Sequence, residues 1–148
     1  MRLRFAPYAL SMRTAEFGFA GTPLRTTLVA AILRGEKTAT AGLLVDYERE
    51  GDELPEIGER FLVLDNEDRG VAVIETTEVR VLRVGDCDLQ FARDEGEGFE
   101  SVADWRAAHD RFWRSYADEI RAYLGDADWD VADKTEFVAE RFRLVEIL

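Results

Sequence analysis

The residues best equipped for chemistry are Lys37 and Thr40, in the segment Gly35-Glu36-Lys37-Thr38-Ala39-Thr40. Of nineteen basic residues seventeen are arginine, and only Lys37 and Lys134 are lysine. Where a plain positive charge suffices, this sequence writes Arg. Lysine can shed its proton in a desolvated site and act as a base, whereas guanidinium stays protonated. A threonine hydroxyl becomes a nucleophile beside such a base. Lys37 and Thr40 are thus a candidate base and nucleophile. Residues three apart in a straight strand point to opposite faces, so Lys37 must sit in a helix-to-strand turn, or reach along its stem, to meet Thr40. The competing reading makes Lys37 a cation facing a helix C-terminus and Thr40 an ordinary strand residue.

A second group is Arg93-Asp94-Glu95-Gly96-Glu97-Gly98. Its glycines free the backbone to approach a ligand, and Glu95 and Glu97 offer carboxylates for acid–base work or hydrogen bonding. A solvated acidic loop is the alternative. Further on, Trp105, His109, Phe112, Tyr116 and Ile120 form one stripe at helical spacing. Trp105 could stack on a base and His109 could face a ligand, although both residue types at that spacing also suit a core. Near the C-terminus Glu140 and Phe142 share one strand face and Arg141 and Arg143 the other, a pattern that suits an edge-strand ion pair. Cys87 lies between Asp86 and Asp88, where negative charge disfavours a thiolate.

Composition narrows the function classes. The 148 residues suit one domain, 47% are apolar, and no tract is long enough to span a membrane. Pro7 and Arg13 interrupt the first apolar run, which speaks against a signal peptide. One cysteine excludes an internal disulfide and fits a reducing cytoplasm, and one histidine excludes a multi-histidine metal site within the chain. No metal and no other cofactor is expected. The net charge of −12 argues against a protein that coats nucleic acid. Residues 1–37 nevertheless carry a net +4 and the remainder −16, so an anion would approach near the first helix. A small nucleotide or nucleoside fits that balance better than a long polyanion.

These side chains need elements to hold them. Thr22 as N-cap, Pro23 in the first turn and Gly35 at the end predict a helix over 23–34. A short strand at 38–41, a helical turn over 43–49, strands at 60–65 and 71–84, and a short helix at 88–94 follow. Ser101 and Asp104 resemble a capping box that opens a long helix running to about residue 124, and a strand at 137–147 closes the chain. Residues 1–16 lack periodicity and read as a loosely attached arm. The order implies an α+β fold, a small curved sheet or barrel with helices packed on it.

These segments together resemble the ASCH domain family. The likeness rests on Phe17-Gly18-Phe19, Gly35–Thr40, Leu54–Glu59, Ile74–Val79, Phe91–Gly98, Trp105–His109 and Glu140-Arg141-Phe142, in that order. It implies a PUA-like β-barrel with flanking helices over residues 17–148, and a link to RNA or nucleosides. Some similar bacterial proteins are amidohydrolases that deacetylate N4-acetylcytidine with Lys, Thr and Glu, which fall here on Lys37, Thr40 and Glu95. Tyr47, Glu97, Trp105, His109 and Arg141 are then candidates for the substrate-binding wall. Other ASCH proteins are ribonucleases or RNA-binding modules. Gly42 stands where the family pattern has an arginine, which weakens phosphate binding. A cluster of Arg25, Arg34, Arg106 and Arg141 around Lys37 would favour RNA, and a tight pocket with few cations a nucleoside.

Overall fold

The computed structural model describes residues 12–148. The first helix, α1 (Pro23–Leu33), begins where the Thr22 hydroxyl accepts from the Arg25 amide at 3.3 Å, with Pro23 in the first turn. Its buried face carries Leu28, Val29, Ala31 and Ile32. Gly35 turns the chain at φ 77°, and the amides of Glu36 and Lys37 both donate to the Ala31 carbonyl. That turn delivers Lys37 to the head of a strand.

Five strands make one sheet. They are β1 (Arg13–Ala15), β2 (Ala39–Leu43), β3 (Arg60–Leu64), β4 (Gly70–Arg83) and β5 (Glu136–Ile147), in the order β1-β3-β4-β5-β2. The β1–β3 pair is parallel and the other pairs are antiparallel. A register shift between Thr76 and Glu78 re-aims β4 where it meets β5. Helix α2 (Leu44–Glu50) follows β2 directly, α3 (Leu89–Asp94) follows β4, and α4 (Val102–Arg114) and α5 (Ala117–Leu124) precede β5. Among the described residues no helix is long and apolar enough to cross a membrane.

The fold is α+β, but the sheet formed by the described strands is open rather than a closed barrel. β1 and β2 are its two edges, and both are short. The outer side of β2 is met at its start by the end of α3, where the Thr38 amide donates to the Asp94 carbonyl at 2.8 Å. The expected arm over residues 1–16 contains a strand at 13–15; its Arg13 holds Glu59 at 2.9 Å, and residues 1–11 lie outside the described residues. The long helix expected to reach residue 124 is two helices. Tyr116 leaves helical geometry at φ −127° and ψ 21°, its hydroxyl donates to Asp46 of α2, and the Ser115 hydroxyl donates to the Phe112 carbonyl at 2.5 Å. A tertiary hydrogen bond thus overrides an apolar period that continues through the break. β5 is an interior strand, so Glu140 is not in an edge-strand ion pair.

Two apolar cores flank the sheet. One joins Ala39, Leu43, Phe137 and Ala139 to Phe91, Trp105, Trp113 and Ile120 of the helices. The other joins Phe17 and α1 to Phe61, Ile74 and Phe142. Lys37 lies where they meet, at the edge of β2.

Candidate functional site

Lys37 is 3% exposed. Its Nζ donates to the Ala39 carbonyl at 2.8 Å and to the Glu95 carbonyl at 3.3 Å, and it lies 5.8 Å from the centre of the Phe17 ring. A lysine that merely faced a helix C-terminus would reach into solvent; this one is held in the protein by two carbonyls and an aromatic face. The Ala39 carbonyl belongs to the peptide that leads into Thr40, so the amine is tethered next to that residue. Among the described residues no hydrogen bond joins it to the Thr40 hydroxyl. Gly96 makes the arrangement possible. It sits at φ 71°, and a Cβ there would come within 2.7 Å of Lys37 Cα and 2.6 Å of the Glu36 carbonyl. The loop glycine serves close approach to the Lys37 backbone.

The loop after α3 places three groups together. Ligand atoms of Glu95, Glu97 and His109 all lie within 4.8 Å of one another, a spacing that could hold a metal ion. The Glu95 carboxylate, 1% exposed, is already engaged: Oε2 accepts from Trp105 Nε1 and lies 3.1 Å from His109 Nε2. His109 Nδ1 is 2.8 Å from the Trp105 carbonyl, which can only accept, so Nδ1 carries a proton. Burial opposes the imidazolium, yet the hydrogen bond and charge of Glu95, the Trp105 carbonyl and the Glu97 charge outweigh it and raise the His109 pKa. Crowding by protein raises the Glu97 carboxyl, with Glu95 adding and Lys37 opposing. Trp105 is fully buried and stacked on His109 at 4.4 Å, so neither ring face is open to a base.

The opposite face of the β2–β5 pair carries a second set. Thr40 pairs with Glu140 in the antiparallel register, so their side chains project to the same side. Glu140 is 8% exposed, and its Oε2 accepts from the Thr76 hydroxyl at 2.7 Å. Burial raises its pKa, against the Thr76 hydrogen bond and the charges of Arg13 and Lys37. Tyr47 lies on this face because Gly42 leaves room; a Cβ at Gly42 would meet Tyr47 Cε2 at 3.2 Å. Burial, then Glu140, pushes the Tyr47 hydroxyl well above the usual phenol range. Sequence reasoning missed Glu140 and Thr76 as site residues. The available signal was a carboxylate on the same strand face as Phe142.

Arg141 projects to the helical side, where it binds Glu78 at 3.2 Å and Asp94, and lies over the Phe91 ring at 5.4 Å. The other arginines that could have gathered around Lys37 are also paired. Arg25 binds Glu16, Arg34 binds Glu36, and Arg106 binds Asp110 and Asp133. Cys87 is buried, and burial with Glu95 and Asp88 pushes its thiol up to about 12.

The family model described as the ASCH domain matches residues 15–146. Among solved structures, the chain resembles protein EF3133 from Enterococcus faecalis V583 at TM-score 0.78 and 24% identity, covering 97% of this chain and 84% of that one. At that identity the likeness is one of fold. It also resembles an ASCH domain from Lactobacillus crispatus JV V101 at TM-score 0.73 and 26% identity, over 95% of this chain and 84% of the other. No curated protein matches the sequence.

Proposed function

The chain belongs to the ASCH-domain family, and on that premise we propose that it is a small amidohydrolase acting on an N4-acylated cytidine or a similar modified nucleoside, with Lys37 as base and Thr40 as nucleophile. The buried Lys37 amine is the observation that carries this reading. Its two acceptors, the Ala39 and Glu95 carbonyls, hold the amine at the peptide that leads into Thr40. Thr40 Oγ1 attacks the acyl carbon while Lys37 accepts its proton. The C–N bond then breaks, and water hydrolyses the threonyl ester. Glu95 contributes through its backbone carbonyl, which holds the amine, and its carboxylate fixes the loop against Trp105 and His109.

Charge supports a small uncharged ligand. Arg25, Arg34, Arg106 and Arg141 are each committed to a carboxylate. An RNA-binding module or ribonuclease, the alternative within this family, needs free cations for phosphates. The test is hydrolysis of a panel of N4-acylated cytosines, run beside binding and cleavage of single-stranded RNA. Release of the acyl group with no RNA cleavage is expected. RNA cleavage with no deacylation would replace this reading with the alternative.

A further inference from the structure

Loss of an amine from a tetrahedral intermediate needs a proton on the nitrogen; Lys37, having taken the Thr40 proton, is one donor, and an acid on the Thr40 face of the strand is a second. Glu95 is poorly placed for the task. Its carboxylate is engaged by Trp105 and His109 in the helical core, which contains Ala39, whereas Thr40 points to the other face of its strand. Building on the hydrolytic reading above, we propose that Glu140 is the group that hands a proton to the departing amine.

Three observations carry this. Glu140 is the direct cross-strand partner of Thr40, which sets their Cβ atoms about 4.5–5.5 Å apart. A tetrahedral carbon bonded to Thr40 Oγ1 therefore has its nitrogen within reach of a carboxyl on the neighbouring strand. Second, the carboxyl is oriented: Oε2 accepts from Thr76 at 2.7 Å, which leaves Oε1 as the oxygen for the substrate nitrogen. Third, among the described residues Glu140 forms no ion pair within bonding distance, unlike the Glu75, Glu78 and Asp94 carboxylates of β4 and α3. Burial favours its protonated form. The groups that bear on it are Lys37 from the turn, Arg13 from β1, Glu59 ahead of β3, Thr76 from β4 and Tyr47 from α2.

The steps balance. In acylation Thr40 loses its proton to Lys37, the C–N bond breaks, and the nitrogen takes the Glu140 proton, leaving an acyl-threonine, a protonated Lys37 and an ionised Glu140. In deacylation water adds to the ester, Glu140 takes a water proton, and Lys37 returns its proton to Thr40 as the acid leaves. Glu140 is therefore needed in proportion to how poor the leaving group is.

The test compares two substrates with the same acetyl group, N4-acetylcytidine and p-nitrophenyl acetate, whose phenolate departs without a proton. Glu140→Gln should lower kcat on the amide by about 10²–10⁴-fold and on the ester by less than about tenfold, on the scale of a lost hydrogen bond. The alkaline limb of the amide pH profile should disappear from the residual activity. Thr76→Val, which keeps the carboxyl but not its orientation, should give the same substrate bias at smaller amplitude. Equal losses on both substrates, at an unchanged melting temperature, would make Glu140 structural and overturn the assignment alone. The same bias in Glu97→Gln, with none in Glu140→Gln, would move the donor to Glu97. A wild-type protein that hydrolyses neither substrate would overturn the hydrolytic reading and this assignment together.

Discussion

The two faces of the β2–β5 pair use charge in opposite ways. On the helical face, Arg141 is bound by Glu78 and Asp94, and Glu95 is bound by Trp105 and His109. On the other face, Glu140 has a threonine hydroxyl for its partner, with Thr40 and Tyr47 beside it and Arg13 acting on it through its charge alone. One face resolves its electrostatics internally and so becomes scaffold. The other keeps groups whose protonation can change. Lys37 sits between them, held by a carbonyl from each of the segments that carry the two sets.

Substitutions on the scaffold face should damage stability first. Trp105 is fully buried and meets Trp113, His109 and Phe137, so Trp105→Ala should cost about 3–5 kcal/mol. For a domain of this size that lowers the melting temperature by on the order of 10 °C. A melt within a degree or two of wild type would mean that this face is no packed core.

The His109–Glu95 pair gives a cleaner readout because the chain has one histidine. By NMR titration the wild-type imidazole should titrate above its ordinary value, and in Glu95→Gln it should fall, since burial is then opposed only by the Trp105 carbonyl and the Glu97 charge. The sign for stability follows. A raised folded pKa stabilises fully below the unfolded histidine value, and that contribution is lost as pH rises through the folded value. The wild-type advantage over Glu95→Gln should therefore shrink across that rise. An unchanged His109 titration in the variant would dissolve the pair.

Glu140 should show the reverse relation between stability and function. Its folded pKa is raised by burial, so the stabilising contribution is present at acid pH and lost as pH rises through that value. Above its folded pKa the ionised carboxyl is a cost, and there Glu140→Gln, which can still accept from Thr76, should melt higher than wild type by a few degrees. At acid pH the gain should vanish. A lower melting temperature at alkaline pH would show that the charge is satisfied.

The smallest effect belongs to Arg141→Ala. Its ion pairs are partly exposed, so the loss should be about 0–1 kcal/mol, smaller still in high salt, with acylcytidine hydrolysis unaltered. A large loss of turnover would join Arg141 to the site after all.

Local chemistry made much of this legible in the sequence. Thr22, Pro23 and Gly35 bounded α1, alternation marked β4 and β5, and the scarcity of lysine singled out Lys37. What lay hidden depends on distant partners. β1 is three residues long, too short to show alternation, and exists through its pairing with β3. The break at Tyr116 comes from Asp46, seventy residues earlier. Glu140 acquires its surroundings from Thr76, sixty-four residues away, and from a register that places it opposite Thr40. The glycine between Glu95 and Glu97 suggested ligand approach, whereas its neighbour is the Lys37 backbone.

The central claim is that Lys37 acts as the base that takes the Thr40 proton, and Lys37→Arg tests it most directly because it keeps a positive charge and removes the base. In steady-state deacylation of N4-acetylcytidine the variant should fall by about 10²–10⁴-fold in kcat. An arginine variant that turns over the substrate at the wild-type rate would contradict the account.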